Sequence, residues 1–202
     1  MLELSVNDPR AVAESLRILR EPGAVLLTPT ETVYGLVCRF DDADAVEEIY
    51  RLKGRDRGKP LTVFLRSGED VSAVGGIADR RARRLMERFM PGPLTLILPG
   101  AAGAPAAGVR MPDHPFMREL LRRLPWPLAS TSANASGMPD ARSCGEALKM
   151  LRGAPAAAID GGSLPADAAA STIVDLRGAE TKILRRGPIA DAAIFAALGT
   201  EL

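Results

Sequence analysis

Ala24-Val25-Leu26-Leu27-Thr28-Pro29-Thr30-Glu31-Thr32 is the stretch whose reading decides the fold class. Residues 24–27 form a short apolar run that reads as a buried strand. The five residues after it are too polar, and too constrained by Pro29, to continue a hydrogen-bonded ladder. A buried strand that opens into a hydroxyl-rich loop is an arrangement typical of a binding end in an α/β sheet.

Working outward, the chain alternates in the same manner. Before the strand, Asp8-Pro9 reads as an N-cap with proline at the first helical position, predicting a helix over 9–20. Val12, Leu16 and Leu19 give that helix its apolar stripe, and Gly23 ends it. After the strand, a helix is expected over 43–52, capped by Asp41 or Asp42, with Val46, Ile49 and Tyr50 turned inward. Further strands are expected at 61–65, 94–98, 109–111, 128–131, 157–159, 171–176 and 182–184. Further helices are expected at 79–89, 115–124, 143–152 and near the C-terminus. Met90-Pro91-Gly92-Pro93 breaks the third helix, and residues 100–108, all Gly, Ala and Pro, read as a flexible surface loop. Strands and helices intermix along the whole length, with neither an internal repeat nor a linker. The expectation is therefore one α/β domain over residues 1–202, an open sheet covered by helices.

Composition narrows the function classes. The 202 residues are 47% apolar and 25% charged, with a net charge of +1, so no overall field draws the chain to nucleic acid or membrane. Aromatic residues are 4%, too few for base stacking to be a widespread device. Cys38 and Cys144 fit no metal spacing and read as buried reduced thiols. The N-terminus has no signal-peptide pattern, and no apolar run approaches the ~20 residues that cross a bilayer, so a cytoplasmic protein is expected. The single histidine, His114, lies in a turn running into a helix and reads as a turn or capping residue. With it alone, a classical zinc site is nearly excluded, and a Ser-His-Asp triad would have to use it.

Three loops carry the chemistry that remains. Gly54-Arg55-Asp56-Arg57-Gly58-Lys59-Pro60 is one residue short of a P-loop, puts proline where a magnesium-holding hydroxyl belongs, and lacks the strand-loop-helix setting. It is not a Walker motif. With Lys53 it nevertheless gathers four cations, Lys53, Arg55, Arg57 and Lys59, within seven residues. Such a cluster is either a solvated, self-repelling surface or a site that an anion neutralises, and arginine forks match phosphate oxygens bidentately. Ser130-Thr131-Ser132-Ala133-Asn134-Ala135-Ser136-Gly137 offers hydroxyls, an amide and backbone N–H groups at a strand end. The loop over 28–32 again sets hydroxyls directly after a strand.

Taken together, these segments resemble the YrdC family of threonylcarbamoyl-AMP synthases. The matching pieces run from Pro29-Thr30-Glu31-Thr32-Val33-Tyr34-Gly35-Leu36 through Leu52-Lys53-Gly54-Arg55 with Lys59-Pro60-Leu61, Pro91-Gly92-Pro93-Leu94-Thr95 and Val109-Arg110-Met111-Pro112-Asp113-His114-Pro115. Ser130-Thr131-Ser132-Ala133-Asn134, Ser171-Thr172-Ile173-Val174-Asp175 and Leu184-Arg185-Arg186-Gly187 complete them, in the family's order from about residue 20 to 190. The resemblance implies a single-domain, twisted, open mixed sheet flanked by helices. It implies an enzyme, a nucleotidyltransferase that converts L-threonine, bicarbonate and ATP to threonylcarbamoyl-AMP and pyrophosphate. A tRNA threonylcarbamoyl transferase machinery would be the partner that uses the product to modify tRNA.

Residue by residue, the family's Lys-x-Arg and Ser-x-Asn signature falls on Lys53, Arg55, Ser132 and Asn134, the expected catalytic set. Arg55, Lys59, Thr95, Ser132, Asn134 and Arg185 are expected to bind ATP. Thr32, Tyr34, Arg110 and Thr172 are expected on the threonine side. Mg2+ is expected with ATP, held by phosphates and water, since no carboxylate cage is visible. Where some longer members carry a histidine facing threonine, this sequence has Phe64, as the short bacterial form does. Longer members also append a second domain that covers the site. This chain is read as ending too soon for one, so a loop at 100–108 or 161–167, or a partner, is expected to close over the ligands. The rival within the family is a non-catalytic relative that binds RNA or ribosomes. Arginine rows at Arg80, Arg84 and Arg88 and at Arg118, Arg122 and Arg123 read as solvated helix faces or as a weak RNA contact.

Overall fold

Alternation of apolar and polar side chains along short strands sets up one mixed sheet of ten strands in the order β1-β8-β2-β3-β7-β4-β6-β5-β9-β10. The computed structural model describes residues 1–199. Its strands are β1 Leu2–Ser5, β2 Val25–Thr28, β3 Gly35–Arg39, β4 Thr62–Phe64, β5 Leu94–Leu98, β6 Ala107–Arg110, β7 Leu128–Ser132, β8 Ala157–Asp160, β9 Thr172–Asp175 and β10 Lys182–Arg185. Its helices are α1 Ala11–Ile18, α2 Ala43–Lys53, α3 Arg80–Phe89, α4 Pro115–Arg123, α5 Cys144–Met150 and α6 Asp191–Leu198, with a 3-10 helix at Gly68–Val74. The expected mixed sheet flanked by helices is the fold that forms.

The register shows which side chains share a face. Thr62 pairs with Ser130 and Phe64 with Leu128, Thr62 with Gly108, Ile97 with Gly108, and Thr95 with Ile173. Side chains alternate along a strand, so these residues project from one face and Val63, Ala129, Val109, Leu96 and Val174 from the other. The second face is covered along its length. Val63, Leu94, Leu96, Leu98, Val109 and Val174 pack with Leu85 of α3 and Ile194 of α6. Val25, Leu27, Leu36, Cys38 and Ala129 pack with Ile49 of α2 and Ala147 of α5.

The first face is covered only in part. There Leu26, Val37, Phe64 and Leu128 meet Ile18 of α1 and Met117 and Leu120 of α4. Beyond that cluster the sheet presents Thr62, Ser130, Thr95 and Ile97 to a cleft that no helix fills. Burying those hydroxyls under an apolar helix would leave them without partners, at a cost of a few kcal/mol. The polar strand residues thus keep half of one face open.

Local sequence explains the boundaries. Helix α2 begins where Asp42 accepts from the Ala45 N–H at 3.0 Å, which selects Asp42 over Asp41 as its cap. The first helix starts two residues later than its proline suggests. Asp8 instead accepts from the Arg10 N–H at 2.8 Å, closing a turn before the helix begins. Two strands escaped the pattern reading, β1 and β3. The first pairs with β8 at one sheet edge, and the second lies in the sheet centre between β2 and β7.

Candidate active site

The open half of the sheet face is a cleft lined by Thr30, Gly35, Thr62, Phe64, Thr95, Arg110, Ser130, Ser132, Ser171 and Arg185, with Arg55 at its side. Five of the expected site residues therefore meet here: Arg55, Thr95, Arg110, Ser132 and Arg185. They come from separate regions of the chain and reach one cavity because strands β3, β7, β4, β6, β5 and β9 are consecutive in the sheet.

Lys53 and Arg55 are divided by a helix end. Lys53 closes α2, Gly54 adopts the left-handed conformation at φ 58°, and the chain turns so that Arg55 leaves the helix toward the cleft. Lys53 is 2% exposed and lies under the Ser132–Asn134 segment. Its Nζ donates to the carbonyls of Ser132 and Asn134, the latter at 2.7 Å, and to Asn134 Oδ1 at 3.1 Å. An ammonium has three N–H donors, so these acceptors use them all. Burial pushes the Lys53 ammonium down from 10.5 to about 8, Arg55 adds to the fall, and Asp140 opposes it. Asn134 continues the chain of contacts. Its Oδ1 accepts from Ser132 Oγ at 2.6 Å and its Nδ2 donates to the Met138 carbonyl.

The rest of the four-cation loop disperses. Arg55 donates from Nε to the Lys59 carbonyl at 3.1 Å and from Nη2 to the Pro60 carbonyl at 3.2 Å, and among the described residues it forms no ion pair with a carboxylate. Arg57 pairs with Glu47 through Nε at 2.9 Å. The Lys59 side chain is exposed and is absent from the cleft lining. Of the four cations only Arg55 lines the cleft.

At the opposite wall, Arg185 donates from Nε to the Ser171 carbonyl at 2.9 Å and from Nη2 to Ser171 Oγ at 3.0 Å. Ser171 Oγ and Thr95 Oγ1 are 2.8 Å apart. Burial lowers the Arg185 guanidinium from its ordinary value, Asp140 opposes that, and Arg110 adds to it. Arg110 is 5% exposed; it donates to Glu31 Oε1 at 2.6 Å and from Nε to the Gly92 carbonyl at 3.3 Å, with its guanidinium 5.7 Å from the Phe64 ring centre. Two of the three guanidiniums, Arg55 and Arg185, thus hold only neutral acceptors. Among the described residues neither is in an ion pair with a carboxylate, although the Asp140 charge acts on Arg185, and unpaired guanidiniums favour an anion in the cleft.

Several expected residues stand behind the cleft rather than in it. Thr172 is fully buried on the covered face and exchanges hydrogen bonds with the Ile189 backbone at 3.1 and 3.2 Å. Its neighbours Ser171 and Ile173 line the cleft instead. Thr32 is 1% exposed, and its hydroxyl is 3.0 Å from that of Thr30, the residue that lines the cleft. Thr30 Oγ1 also accepts from the N–H groups of Thr32 and Val33, so this hydroxyl shapes the loop. Tyr34 is buried. Its hydroxyl accepts from the Gly161 N–H at 2.9 Å and donates to the Gly162 carbonyl at 2.7 Å, with Asp160 Oδ1 at 3.1 Å. Desolvation raises its phenol well above the usual tyrosine value. Tyr34 therefore anchors the start of the 161–170 segment.

Ser171, Thr30 and Ser130 lie in segments that the sequence marked, but none of the three was given a role of its own. Strand parity is the signal that finds Ser171: Val174 and Leu176 are core residues, so Thr172 shares their face and its neighbours take the other. Of the two loops expected to close the site, 161–167 stops short of the cleft lining, which the chain reaches just after it at Ala170 and Ser171. The other, expected at 100–108, gives its last two residues to β6, and it is tied to the end of the 3-10 helix by the Ala101 N–H donating to the Gly75 carbonyl at 2.8 Å. His114 precedes α4 without capping it through its side chain. Among the described residues no group of three or more His, Cys, Asp or Glu is placed to hold a metal ion. No helix among them is long and apolar enough to cross a membrane.

Comparison with known proteins matches this geometry to one family. The Sua5/YciO/YrdC family model, described as telomere recombination, matches residues 18–187. A Bacillus subtilis protein named threonylcarbamoyl-AMP synthase is 38% identical over 98% of this chain. The chain spans 59% of that protein's length. The crystal structure of Pyrococcus abyssi Sua5 complexed with L-threonine superposes with a TM-score of 0.88 at 31% identity, covering 99% of this chain and 61% of that one. Escherichia coli YciO superposes with a TM-score of 0.81 at 27% identity, covering 96% of this chain and 97% of its own. The matched residues contain every strand that builds the cleft, and on that extent and identity the chain belongs to the Sua5/YciO/YrdC family.

Proposed function

We propose that the chain is an L-threonylcarbamoyladenylate synthase, a nucleotidyltransferase that makes threonylcarbamoyl-AMP and pyrophosphate from L-threonine, bicarbonate and ATP. The observation that carries the proposal is the convergence of Arg55 and Arg185, neither paired with a carboxylate, with the hydroxyls of Ser132, Thr95 and Ser171 in one cleft. Such a cleft suits a polyanion and directional acceptors on a nucleotide. The relatives named as synthases, and the relative crystallised with L-threonine, support the amino-acid half of the assignment.

In this mechanism the threonine amine combines with bicarbonate to give a carbamate and water. A carbamate oxygen then attacks the α-phosphorus of ATP in line, the bond to the bridging oxygen breaks, and pyrophosphate leaves. The reaction needs alignment and charge neutralisation more than a strong general base. Arg55, Ser132, Thr95 and Arg185 are proposed to hold the nucleotide and Arg110 the anionic end of threonine. Lys53 and Asn134 act from beneath by fixing Ser132. Thr32, Tyr34 and Thr172 serve the threonine side by shaping its walls, and Lys59 contributes charge from the rim. Mg2+ enters with ATP, held by its phosphates and water. The product passes to a tRNA threonylcarbamoyl transferase, and the proposed compartment is the cytoplasm.

The test is pyrophosphate release from ATP by the purified protein with magnesium and bicarbonate, with and without L-threonine, alongside mass detection of threonylcarbamoyl-AMP. Threonine-dependent release that Ser132→Ala removes supports the proposal. A folded protein that releases none, and binds RNA with a steep dependence on salt, is instead the non-catalytic relative.

A further inference from the structure

Glu31 accepts from Arg110 with Oε1, while its Oε2 is buried without a hydrogen-bond partner. Nδ1 of His114 is also buried without one. The imidazole feels the carboxylate: burial lowers it from its ordinary value, and the Glu31 charge is the influence that opposes this. Buried polar atoms of this kind are costly alone and are normally satisfied by each other or by a bridging water. Arg110 itself is nearly dry, and its Nε and one Nη2 hydrogen are committed to Gly92 and Glu31. Three of its five N–H donors are left for a ligand in the cleft that it lines.

We propose that Glu31 and His114 are positioning residues for Arg110. Glu31 fixes the plane of the guanidinium, and His114 donates its Nδ1–H toward Glu31 Oε2 through one bridging water, so that the carboxylate cannot rotate away. The guanidinium then meets the carboxylate of an amino-acid substrate without first being reoriented, an advantage that appears in substrate binding rather than in the chemical step. This kinetic expression of the inference rests on the proposed synthase reading; the hydrogen-bond relay itself does not.

The chain has one histidine, so 15N-histidine NMR reads His114 without assignment. In the full-length protein, Nδ1 is expected to be the protonated nitrogen, and Glu31→Gln and Glu31→Ala are expected to shift its resonance. Imidazole resonances identical in the wild type and both variants overturn the relay. In the pyrophosphate assay His114→Phe is expected to raise the KM for L-threonine about tenfold with kcat and the KM for ATP little changed. His114→Asn, whose amide N–H falls near the place of Nδ1–H, is expected to restore most of that loss. Equal defects in Phe and Asn variants, or a parallel rise in the KM for ATP, overturn the positioning role. If the wild type releases no threonine-dependent pyrophosphate, the synthase reading fails and the NMR comparison decides the relay alone. The same comparison decides it if His114→Phe does not fold.

Discussion

The Lys53 ammonium lies 2.7 Å from the Asn134 backbone carbonyl and 3.1 Å from the Asn134 side-chain oxygen, with the Ser132 carbonyl as its third acceptor. The two halves of the Lys-x-Arg and Ser-x-Asn signature are therefore one hydrogen-bonded unit, 79 to 81 residues apart in sequence. Ser132 lines the cleft, and Lys53 touches the cleft wall through it. The physical consequence is that the donors of Lys53 are spent on the loop, and the side chain itself does not line the cleft.

Lys53→Met keeps the volume of the side chain and removes its donors. Three acceptors then lose a charge-assisted bond in a buried place, which costs about 1–3 kcal/mol. Urea denaturation should show that loss, and turnover should fall by roughly 100-fold as Ser132 loses its fixed position. A folded Lys53→Met protein with wild-type turnover would show that the loop holds itself.

The depressed pKa of Lys53 gives opposite signs to stability and activity in alkali. The folded value is about 8 against an ordinary 10.5. Between those values the unfolded chain keeps the proton that the folded chain has released, so this group's contribution to stability rises with pH. Activity requires the ammonium donors and should fall across the same window, with a midpoint near 8. Denaturation measured from pH 7 to 10.5 in wild type and Lys53→Met isolates the group by difference. A difference that stays flat while activity falls would assign the alkaline loss to another residue.

Ser171 links Thr95 to Arg185 through one hydroxyl, 2.8 Å from Thr95 Oγ1 and 3.0 Å from Arg185 Nη2. Ser171→Ala leaves the carbonyl that holds Arg185 Nε but frees the other side of the fork. The expected result is a rise of about tenfold in the KM for ATP, from the looser guanidinium, with a stability loss near 1 kcal/mol. Isothermal titration with a non-hydrolysable ATP analogue checks the first and thermal denaturation the second. An unchanged affinity would mean that the Ser171 carbonyl alone orients Arg185.

Tyr34→Phe removes the hydroxyl that bonds Gly161 and Gly162, while the ring stays packed with Leu27, Leu36 and Ile49. The expected cost is about 1 kcal/mol, since the N–H of Gly161 and the carbonyl of Gly162, both on exposed residues, each lose a partly buried hydrogen bond. Limited proteolysis should cut faster within 161–168, whose start this hydroxyl anchors. Cutting at the wild-type rate would show that other contacts set the order of the segment.

How much of this was legible in the sequence depended on whether chemistry or parity carried the signal. The strand at 94–98 and an aspartate cap at 41 or 42 followed from residue type alone, because an apolar run and a helix-capping carboxylate mean the same thing in any fold; the structure selects Asp42, and makes Asp79 the cap of α3 rather than its first residue. β3 was missed because Gly35-Leu36-Val37-Cys38-Arg39 lacks the turn signals that frame a strand; its pairing with β2 and β7 settles it. In the site, Arg55, Ser132, Thr95, Arg110 and Arg185 converge as expected from their motifs. Thr172 does not, since one step along β9 carries a side chain through the sheet to the other face. The four-cation loop was ambiguous for a different reason: whether neighbouring charges repel or disperse is decided by partners such as Glu47, ten residues from Arg57, that no local pattern names.

That dispersal separates the two arginines of the loop by experiment. Arg57 and Glu47 are largely exposed, at 73% and 50% of their side chains, and an ion pair in that setting contributes about 0–1 kcal/mol. Arg57→Ala should therefore unfold within about 1 kcal/mol of wild type and turn over at a similar rate. Arg55 differs because its guanidinium bridges two backbone carbonyls, of Lys59 and Pro60, and also lines the cleft. Lysine at 55 keeps the charge but not the planar fork, so it can satisfy those carbonyls or the ligand but not both in the same plane. Arg55→Lys should lose turnover by about tenfold or more, and Arg55→Ala further still. Were the loop only a reservoir of positive charge, the two alanine variants would weaken ATP binding alike and the lysine variant would be silent. Comparing KM for ATP across Arg55→Lys, Arg55→Ala and Arg57→Ala at two salt concentrations decides between a shaped anion site and a diffuse field. Screening at high salt erases the second far more than the first.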